Sequence, residues 1–359
     1  MKIAIVSPIM NTVPPVKYGG IEIIVNELAR GLAARGHMVS VFCSGGSTIT
    51  AKNIIRIETS PYPTAGRLEE NRYWEMKQFF EVFAHQADFD VLHFNYEPLA
   101  LRFTIEGKKI DMADYLMSPA VFTFHNITNI PKNIAYYRQE ISLRRHYATF
   151  VSENHRKPLA DFFPKSRAIY NAIRIDDYVF GDKKDNYLLF LGRITRVKGI
   201  LESIAVAKRV GIPLVIAAKV DQADRVFYEK KVKHLIDGKS VKYIGEVNAL
   251  KKINLLKKAR CLLFPVLWEE PFGLVMVEAL ACGTPVVAFR RGSVPEIIKN
   301  GVNGYIVNNV SRMAEAVSKI DSIEPIGCRK SVEEKFDVKR MVDEYEEFFL
   351  KIIAKKRAS

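Results

Sequence analysis

Glu270 and Glu278 stand eight residues apart in WEEPFGLVMVEALACGTPVV (268–287), with Pro271 and Gly273 between them and a packed apolar run, Val275, Met276, Val277, Ala279 and Leu280, following. Pro271 suits a helix start. Eight residues of helix would separate the carboxylates by roughly 12 Å, and by less if Glu270 sits on the entering loop. That span suits a sugar joined to a diphosphate. One carboxylate would accept hydrogen bonds from sugar hydroxyls and the other from a ribose hydroxyl, while the diphosphate lies at the helix N-terminus facing the N–H groups of Gly273 and Leu274. Alone, two glutamates at this spacing far more often mark exposed positions on a helix and its end; the surrounding residues change that weight.

A second cluster of charge lies in GRITRVKG (192–199), where Arg193 and Lys198 follow a strand ending in Gly192. Cations at the carboxyl edge of an open α/β sheet can neutralise a departing diphosphate, Arg as a planar fork and Lys as a point charge. Arg196, between them, is a weaker candidate. Gly19 and Gly20 precede an apolar-periodic segment and allow close backbone approach at a helix start, although a plain turn explains them as well. Glu22 and Asn26, on the next helical turns, are candidate contacts for an acceptor. His125 ends the VFTF strand at a carboxyl edge, where a neutral imidazole can meet a sugar hydroxyl. His93, inside VLHF, fits a satisfied core residue better.

These residues need a scaffold that brings strand ends together. Short β-branched or aromatic runs alternate with helical-period segments, the pattern of parallel sheets covered by helices, and the series occurs twice. The first has strands at 2–7, 38–43, 54–58, 90–94, 119–124 and 148–152, and a helix at 21–35 with Ile21, Ile24, Val25, Leu28, Ala29 and Leu32 on one face. The second has strands at 186–192, 213–218, 241–245, 261–265, 284–289 and 304–307, with helices near 198–210, 223–236, 248–259, 273–282 and 311–320. The polar, turn-rich segment 170–186 predicts a linker. The expected domains are therefore 1–170 and 171–337, with a final helix in 338–359 crossing back to the first.

The 359 residues fit two domains, and a hydrophobic content of 48% with 26% charged residues excludes a disordered chain. No run approaches the ~18 apolar residues of a membrane span, and the opening apolar run is too short for a signal-peptide core. Cys43, Cys261, Cys282 and Cys328 show no CxxC spacing and predict reduced core thiols in a cytoplasmic protein. Residues 1–170 hold 20 Lys+Arg and 16 Asp+Glu, against 34 and 24 in the remainder, so most of the +14 excess lies in the second half. Its scattered helical spacing, as in Lys230, Lys231 and Lys233, fits a solvated face rather than a nucleic-acid surface. Asp88-Phe89-Asp90 has the form of a metal-binding pair, but acidic turn residues before a strand need no metal. No metal or cofactor is expected. Neither GxxxxGK[ST] nor GxGxxG occurs, which removes the phosphate loops of nucleotide hydrolysis and dinucleotide redox chemistry.

Together, YGGIE, FTFHN, IYNAI, GRITRVKG, YIGEV, PFGLVMVEALACGTPVV and SVPEIIKNGVNG, spread over nearly the whole chain, resemble the retaining glycosyltransferases of family 4. That resemblance implies the GT-B fold, two Rossmann-like α/β domains whose parallel sheets face a central cleft. It implies a nucleoside diphosphate sugar, with UDP favoured, as donor and co-substrate, an acceptor hydroxyl, and transfer of a hexosyl group with retention and without metal. Residue by residue it places Glu270, His125, Arg193 and Lys198 at the reacting centre. Gly19, Gly20, Phe272, Gly273, Leu274 and Glu278 join the donor site, and the backbone near Val247 reads the base. Departures occur at Ala172, where the family has Gly, and at Ala218-Lys219, another common Gly position. A nucleotide-sugar 2-epimerase of the same architecture and a non-catalytic nucleotide-sugar-binding subunit are the alternatives. The acceptor surface is expected at 8–20, 62–75 and 126–140, where Tyr62, Tyr73, Trp74, Tyr136, Tyr137, Arg138, Arg144 and Arg145 suit sugars, lipids or peripheral contact with the inner face of a membrane.

Overall fold

The computed structural model describes residues 1–16, 19–65, 67–97, 101–126 and 146–358. The chain divides into two compact units, Met1–Asn171 with Val338–Ser359, and Ala172–Asp337.

The first unit is built on a parallel sheet of β1 (Lys2–Val6), β2 (Met38–Ser44), β3 (Ile54–Ser60), β4 (Val91–Phe94), β7 (Ala120–Phe124), β8 (Tyr147–Phe150) and β9 (Ser166–Ala168), in the order β3-β2-β1-β4-β7-β8-β9. An antiparallel hairpin, β5 (Arg102–Ile105) and β6 (Lys108–Asp111), is inserted between β4 and β7. Central strands such as IAIV and VLHF are buried throughout, as both faces of a covered parallel sheet require. The helix Gly20–Ala34 turns Ile24, Val25, Leu28, Ala29 and Leu32 inward. Gly31 on that helix is needed because a Cβ there would run into Val342 of the C-terminal helix Val338–Ala358. That last helix buries Tyr345, Phe349 and Ile352 and is pinned by Arg35 to Asp343 and Glu346 and by Arg167 to Glu347. The sequence reading omitted the hairpin, β9 and the helix Leu68–Ala84.

The second unit has a parallel sheet of β10 (Leu188–Arg193), β11 (Leu214–Lys219), β12 (Val241–Tyr243), β13 (Cys261–Phe264), β14 (Val286–Phe289) and β15 (Gly304–Val307), in the order β12-β11-β10-β13-β14-β15. Its helices are Ile200–Val210, Ala249–Lys258, Leu274–Ala281, Val310–Ser318 and Pro325–Glu333. In both units the strand order reverses beside the first strand of the series, between β1 and β4 and between β10 and β13. Crevices at such reversals, outside the carboxyl ends of the strands, are where open α/β sheets bind ligands.

Two sequence expectations change. The helix expected over 223–236 is broken: Gln222–Asp224 and Lys233–Leu235 are 3-10 turns and Tyr228–Val232 is π-helical. Val232 is fully buried there, whereas Val226 is 64% exposed, so little apolar packing holds a regular helix together. The segment read as a linker is packed onto the second unit instead. Ile173 and Ile175 are buried, Ile173 N donates to Phe336 O, and Lys184 Nζ donates to Thr284 Oγ1 at 2.8 Å. All four cysteines are buried free thiols, their pKa values pushed up by burial.

Candidate functional site

At the carboxyl ends of β10 and β13 two loops are zipped together. Gly199 has φ +76°, and a Cβ there would strike the carbonyl of Pro265. Leu267 N donates to Val197 O at 2.8 Å. This register brings Lys198 from one loop against Glu270 from the other, with Nζ 2.6 Å from Oε2. The same Oε2 accepts the indole N–H of Trp268 at 2.8 Å, and the Lys198 ammonium lies 5.0 Å from the Trp268 ring centroid. Glu270 is only 7% exposed, so these two donors, rather than bulk water, are its hydrogen-bonding surroundings at Oε2.

The loop after β14 clamps the backbone around Glu270. Ser293 N donates to Glu270 O at 2.9 Å, Ser293 Oγ to Phe272 O at 2.5 Å, and Gly292 N to Glu269 Oε2 at 2.6 Å. Gly292, at φ +52°, lies so close that a Cβ would collide with the Glu270 backbone. Sequence reasoning did not single out Trp268, Gly292 or Ser293. The signal for the last two was a Gly-Ser pair three residues past the end of a buried strand.

Arg193, the last residue of β10, directs Nη1 toward Asp221 at 3.5 Å, and Lys219 Nζ lies 2.8 Å from the same carboxylate. Burial pushes the Asp221 pKa up, but the Lys219 hydrogen bond and the charges of Lys219 and Arg193 outweigh it and hold the group below the usual carboxylate range. Asp221 was also missed, and it gives Lys219 a partner within the protein. Arg196 is exposed.

The helix of the glutamate motif begins at Leu274, after Gly273 in the left-handed region at φ +82°. Pro271 therefore precedes the helix rather than starting it, and Glu270 sits on the entering loop, which excludes the fully helical 12 Å spacing. Met276 N, in the first helical turn, already donates to Gly273 O at 3.0 Å, which leaves the N–H groups of Leu274 and Val275 as the ones turned toward that end of the unit. Phe272 is core: its ring packs edge-on to Phe336 with centroids 5.6 Å apart, so a ligand can meet only its backbone. Glu278 is buried and accepts from Tyr178 Oη at 2.8 Å and Lys252 Nζ at 2.6 Å. Burial and the Glu278 charge push the Tyr178 phenol well up, so it stays protonated and donates. Val247, half-buried, follows Gly245, whose carbonyl accepts from Ala218 N at 3.0 Å and ties that loop to β11.

In the first unit the corresponding reversal carries neutral groups. Asn95, after β4, donates Nδ2 to Val6 O at 3.3 Å, leaving Oδ1 to accept from His125 Nε2 at 3.2 Å. Burial and the neighbouring His155 push the His125 pKa down to about 3. The ring is therefore neutral, and with Nε2 donating, Nδ1 is the acceptor side. Asn95 was not anticipated. His93 is a core residue as expected, bonded to Thr123 Oγ1 at 2.6 Å and packed against Tyr345 and Phe349. Gly19 precedes the helix and Gly20 begins it, but a Cβ at Gly19 would meet Pro15 and Glu22, so its smallness serves the protein's own packing. Glu22 is buried, accepts from Asn11 Nδ2 at 3.0 Å, and has its pKa raised by burial. Asn26 is nearly buried and bonds Glu27.

The Asp-x-Asp aspartates have local roles: Asp88 lies beside His85, and Asp90 accepts Lys2 N at 2.8 Å. Of the acceptor candidates, Tyr62 sits under Arg67 and Tyr73 packs edge-on to Trp74. Tyr136, Tyr137, Arg138, Arg144 and Arg145 lie outside the described residues. A hollow of about 430 Å³ lined by Asp90, Ser118 and Lys356, among others, lies at the amino ends of the first sheet's strands, away from the edge that carries His125.

Two family descriptions match the chain in tandem, "Glycosyltransferase Family 4" over residues 18–177 and "Glycosyl transferases group 1" over 176–331. The chain belongs to the family 4 glycosyltransferases. This enzyme is 27% identical over 350 residues to an uncharacterized glycosyltransferase of Methanocaldococcus jannaschii, covering 86% of each chain. It is 26% identical over 342 residues to the phosphatidyl-myo-inositol mannosyltransferase of Mycobacterium tuberculosis, covering 86% of this chain and 82% of the relative. Among solved structures, sucrose-phosphate synthase from Thermosynechococcus elongatus superposes with a TM-score of 0.78 at 19% identity, over 99% of this chain and 100% of that one. HepE of Anabaena in complex with UDP superposes at 0.74 and 18% identity, over 97% and 99%. These likenesses show the GT-B fold. Among the described residues no helix is long and apolar enough to cross a membrane.

Proposed function

We propose that this glycosyltransferase moves a hexosyl group from a nucleoside diphosphate sugar, with UDP as the favoured nucleotide, to an acceptor hydroxyl, with retention and without metal. The observation that carries this reading is the Lys198–Glu270 ion pair that joins the loops after β10 and β13, ahead of the helix that begins at Leu274, with Arg193 at the end of the same strand β10. HepE, a neighbour in fold, binds UDP and UDP-glucose, which supports UDP as the first donor to test.

In the proposed reaction the bond from the anomeric carbon to the diphosphate oxygen breaks, and the acceptor oxygen bonds to the same face. The acceptor proton passes to the departing diphosphate oxygen. Arg193 and Lys198 hold the negative charge that develops on the leaving group, a contribution of several kcal/mol in a site shielded from water. Glu270 orients the sugar through its hydroxyls, and Glu278 fixes the ribose end. The neutral His125, at the edge of its own sheet, offers Nδ1 as an acceptor for a hydroxyl. Buried free thiols fit a protein working in a reducing cytoplasm.

The test is a thermal-shift and turnover series with UDP-, GDP- and ADP-hexoses, with and without EDTA, for the parent protein and Glu270→Ala. One donor should stabilise the parent with EDTA present and be consumed faster when acceptors are supplied. A parent protein that no nucleotide sugar stabilises would remove this reading, and turnover abolished by EDTA would remove its metal-independent part.

A further inference from the structure

We infer that Trp268 is a positioning residue for the donor sugar, acting through Glu270 and Lys198. This rests on the reading of the site given above and adds a residue to it. The indole meets both members of the ion pair in different ways: its N–H donates to Glu270 Oε2 at 2.8 Å, and its face lies 5.0 Å from the Lys198 ammonium. Lys198 Nζ reaches the same oxygen at 2.6 Å, so Oε2 is held by two donors from two directions. Among the described residues Oε1 takes no hydrogen bond, which leaves it as the oxygen available to a ligand hydroxyl. A carboxylate held by Lys198 alone would keep its contact while turning about its terminal torsion, a broad twofold rotor. The indole donor fixes the plane of the group and hence the direction of Oε1.

The backbone shows that this placement is built in. The Leu267 amide is bonded to Val197 O, so Trp268 is the next residue out from the point where the two loops join. Ser293 holds Glu270 O from the other side. The carboxylate is thus fixed at both ends, by Ser293 on its main chain and by Trp268 on its side chain. A group that must meet a sugar hydroxyl as the anomeric centre changes shape gains rate from such orientation, whereas the diphosphate, met by cations and helix N–H groups, does not depend on it.

The experiment compares the parent, Trp268→Phe and Trp268→His. It uses the hexose donor that the UDP-, GDP- and ADP-sugar series identifies, together with the matching free nucleoside diphosphate. Phe keeps a ring beside Lys198 and removes the N–H, while His restores a ring N–H donor. The expected result for Trp268→Phe is a fall in kcat of about tenfold, the scale of one hydrogen bond to a charged group, with free-nucleotide affinity within about twofold of the parent. Partial recovery of kcat in Trp268→His completes the case. Parent-like kcat in Trp268→Phe would overturn the inference. So would equal weakening of nucleotide and nucleotide-sugar binding, because that is the mark of a merely structural residue. A parent protein inert toward every nucleotide sugar would instead overturn the function proposed for the site, and this inference with it.

Discussion

The two units share a sheet plan but keep their polar groups in opposite electrical states. In the first, the buried histidines near the sheet reversal are uncharged: His93, His125 and His155 have pKa values pushed down to about 3, 3 and 4 by burial, with His125 and His155 each adding to the shift of a neighbour. Around them lies an aromatic core that includes Phe94, Phe122, Phe124 and Phe150, and a hydroxyl chain joining Thr123, Thr149 and Tyr345. In the second, the corresponding edge carries ion pairs, Lys198 with Glu270, Lys252 with Glu278, and Asp221 with Lys219 and Arg193. The difference teaches which half can meet an anion. Charges already paired at a sheet edge can be exchanged for a diphosphate at little reorganisation, whereas a neutral histidine among phenylalanines suits hydroxyls.

Acid should separate the units most strongly. A histidine whose folded pKa is depressed contributes full stability above about pH 6.5 and loses it as pH falls toward the folded value, because the unfolded chain binds the extra proton. Each such group costs about 1.4 kcal/mol per pH unit, so between pH 6.5 and 4.5 the three together reach roughly 5–8 kcal/mol if they titrate independently. Six of the seven histidines belong to the first unit, and the remaining one, His234, is exposed. Hydrogen exchange across this range should therefore show residues of the first unit losing protection before those of 172–337. Simultaneous loss would break the comparison.

Next in size is the charged edge itself. Lys198→Ala removes a cation from the leaving group and leaves Glu270 with one donor, and kcat should fall about 10²–10³-fold, read from steady-state turnover. Gly292→Ala tests the clamp beneath it. A side chain at φ +52° facing the Glu270 backbone should cost about 2–3 kcal/mol in denaturant unfolding and lower turnover as Glu270 shifts. The smallest effect is expected from Tyr345→Phe, which removes one hydroxyl from the Thr123–Thr149 network. It should cost about 1 kcal/mol in the first unit while leaving nucleotide affinity unchanged.

The sequence made the strands legible because parallel strands buried on both faces are short apolar runs bounded by turns, as KIAIV and CLLF are. It made Glu270, Arg193 and Lys198 legible because their motifs sit directly after such strands. It hid what depends on tertiary neighbours. Nothing local announces that Asp221 will face Arg193, that Asn95 will hold His125, or that Lys252 and Tyr178 will reach Glu278 from 26 and 100 residues away. The hairpin Arg102–Asp111 was missed because its strands are only four residues long and, although RFTI alternates, KKID does not. The stretch 170–186 read as a linker because its polar residues outnumber the few, Ile173 and Ile175 among them, that anchor it.

The central claim is that the paired cations at the β10–β13 edge hold a nucleoside diphosphate. Its most direct test is calorimetric titration of UDP and GDP into the parent and into the double variant Arg193→Ala/Lys198→Ala, in EDTA. The account predicts binding by the parent with at least one of the two nucleotides, and a loss of about a hundredfold or more in the variant, as expected when two charge-assisted contacts to phosphate are removed. Equal affinity in parent and variant would contradict it.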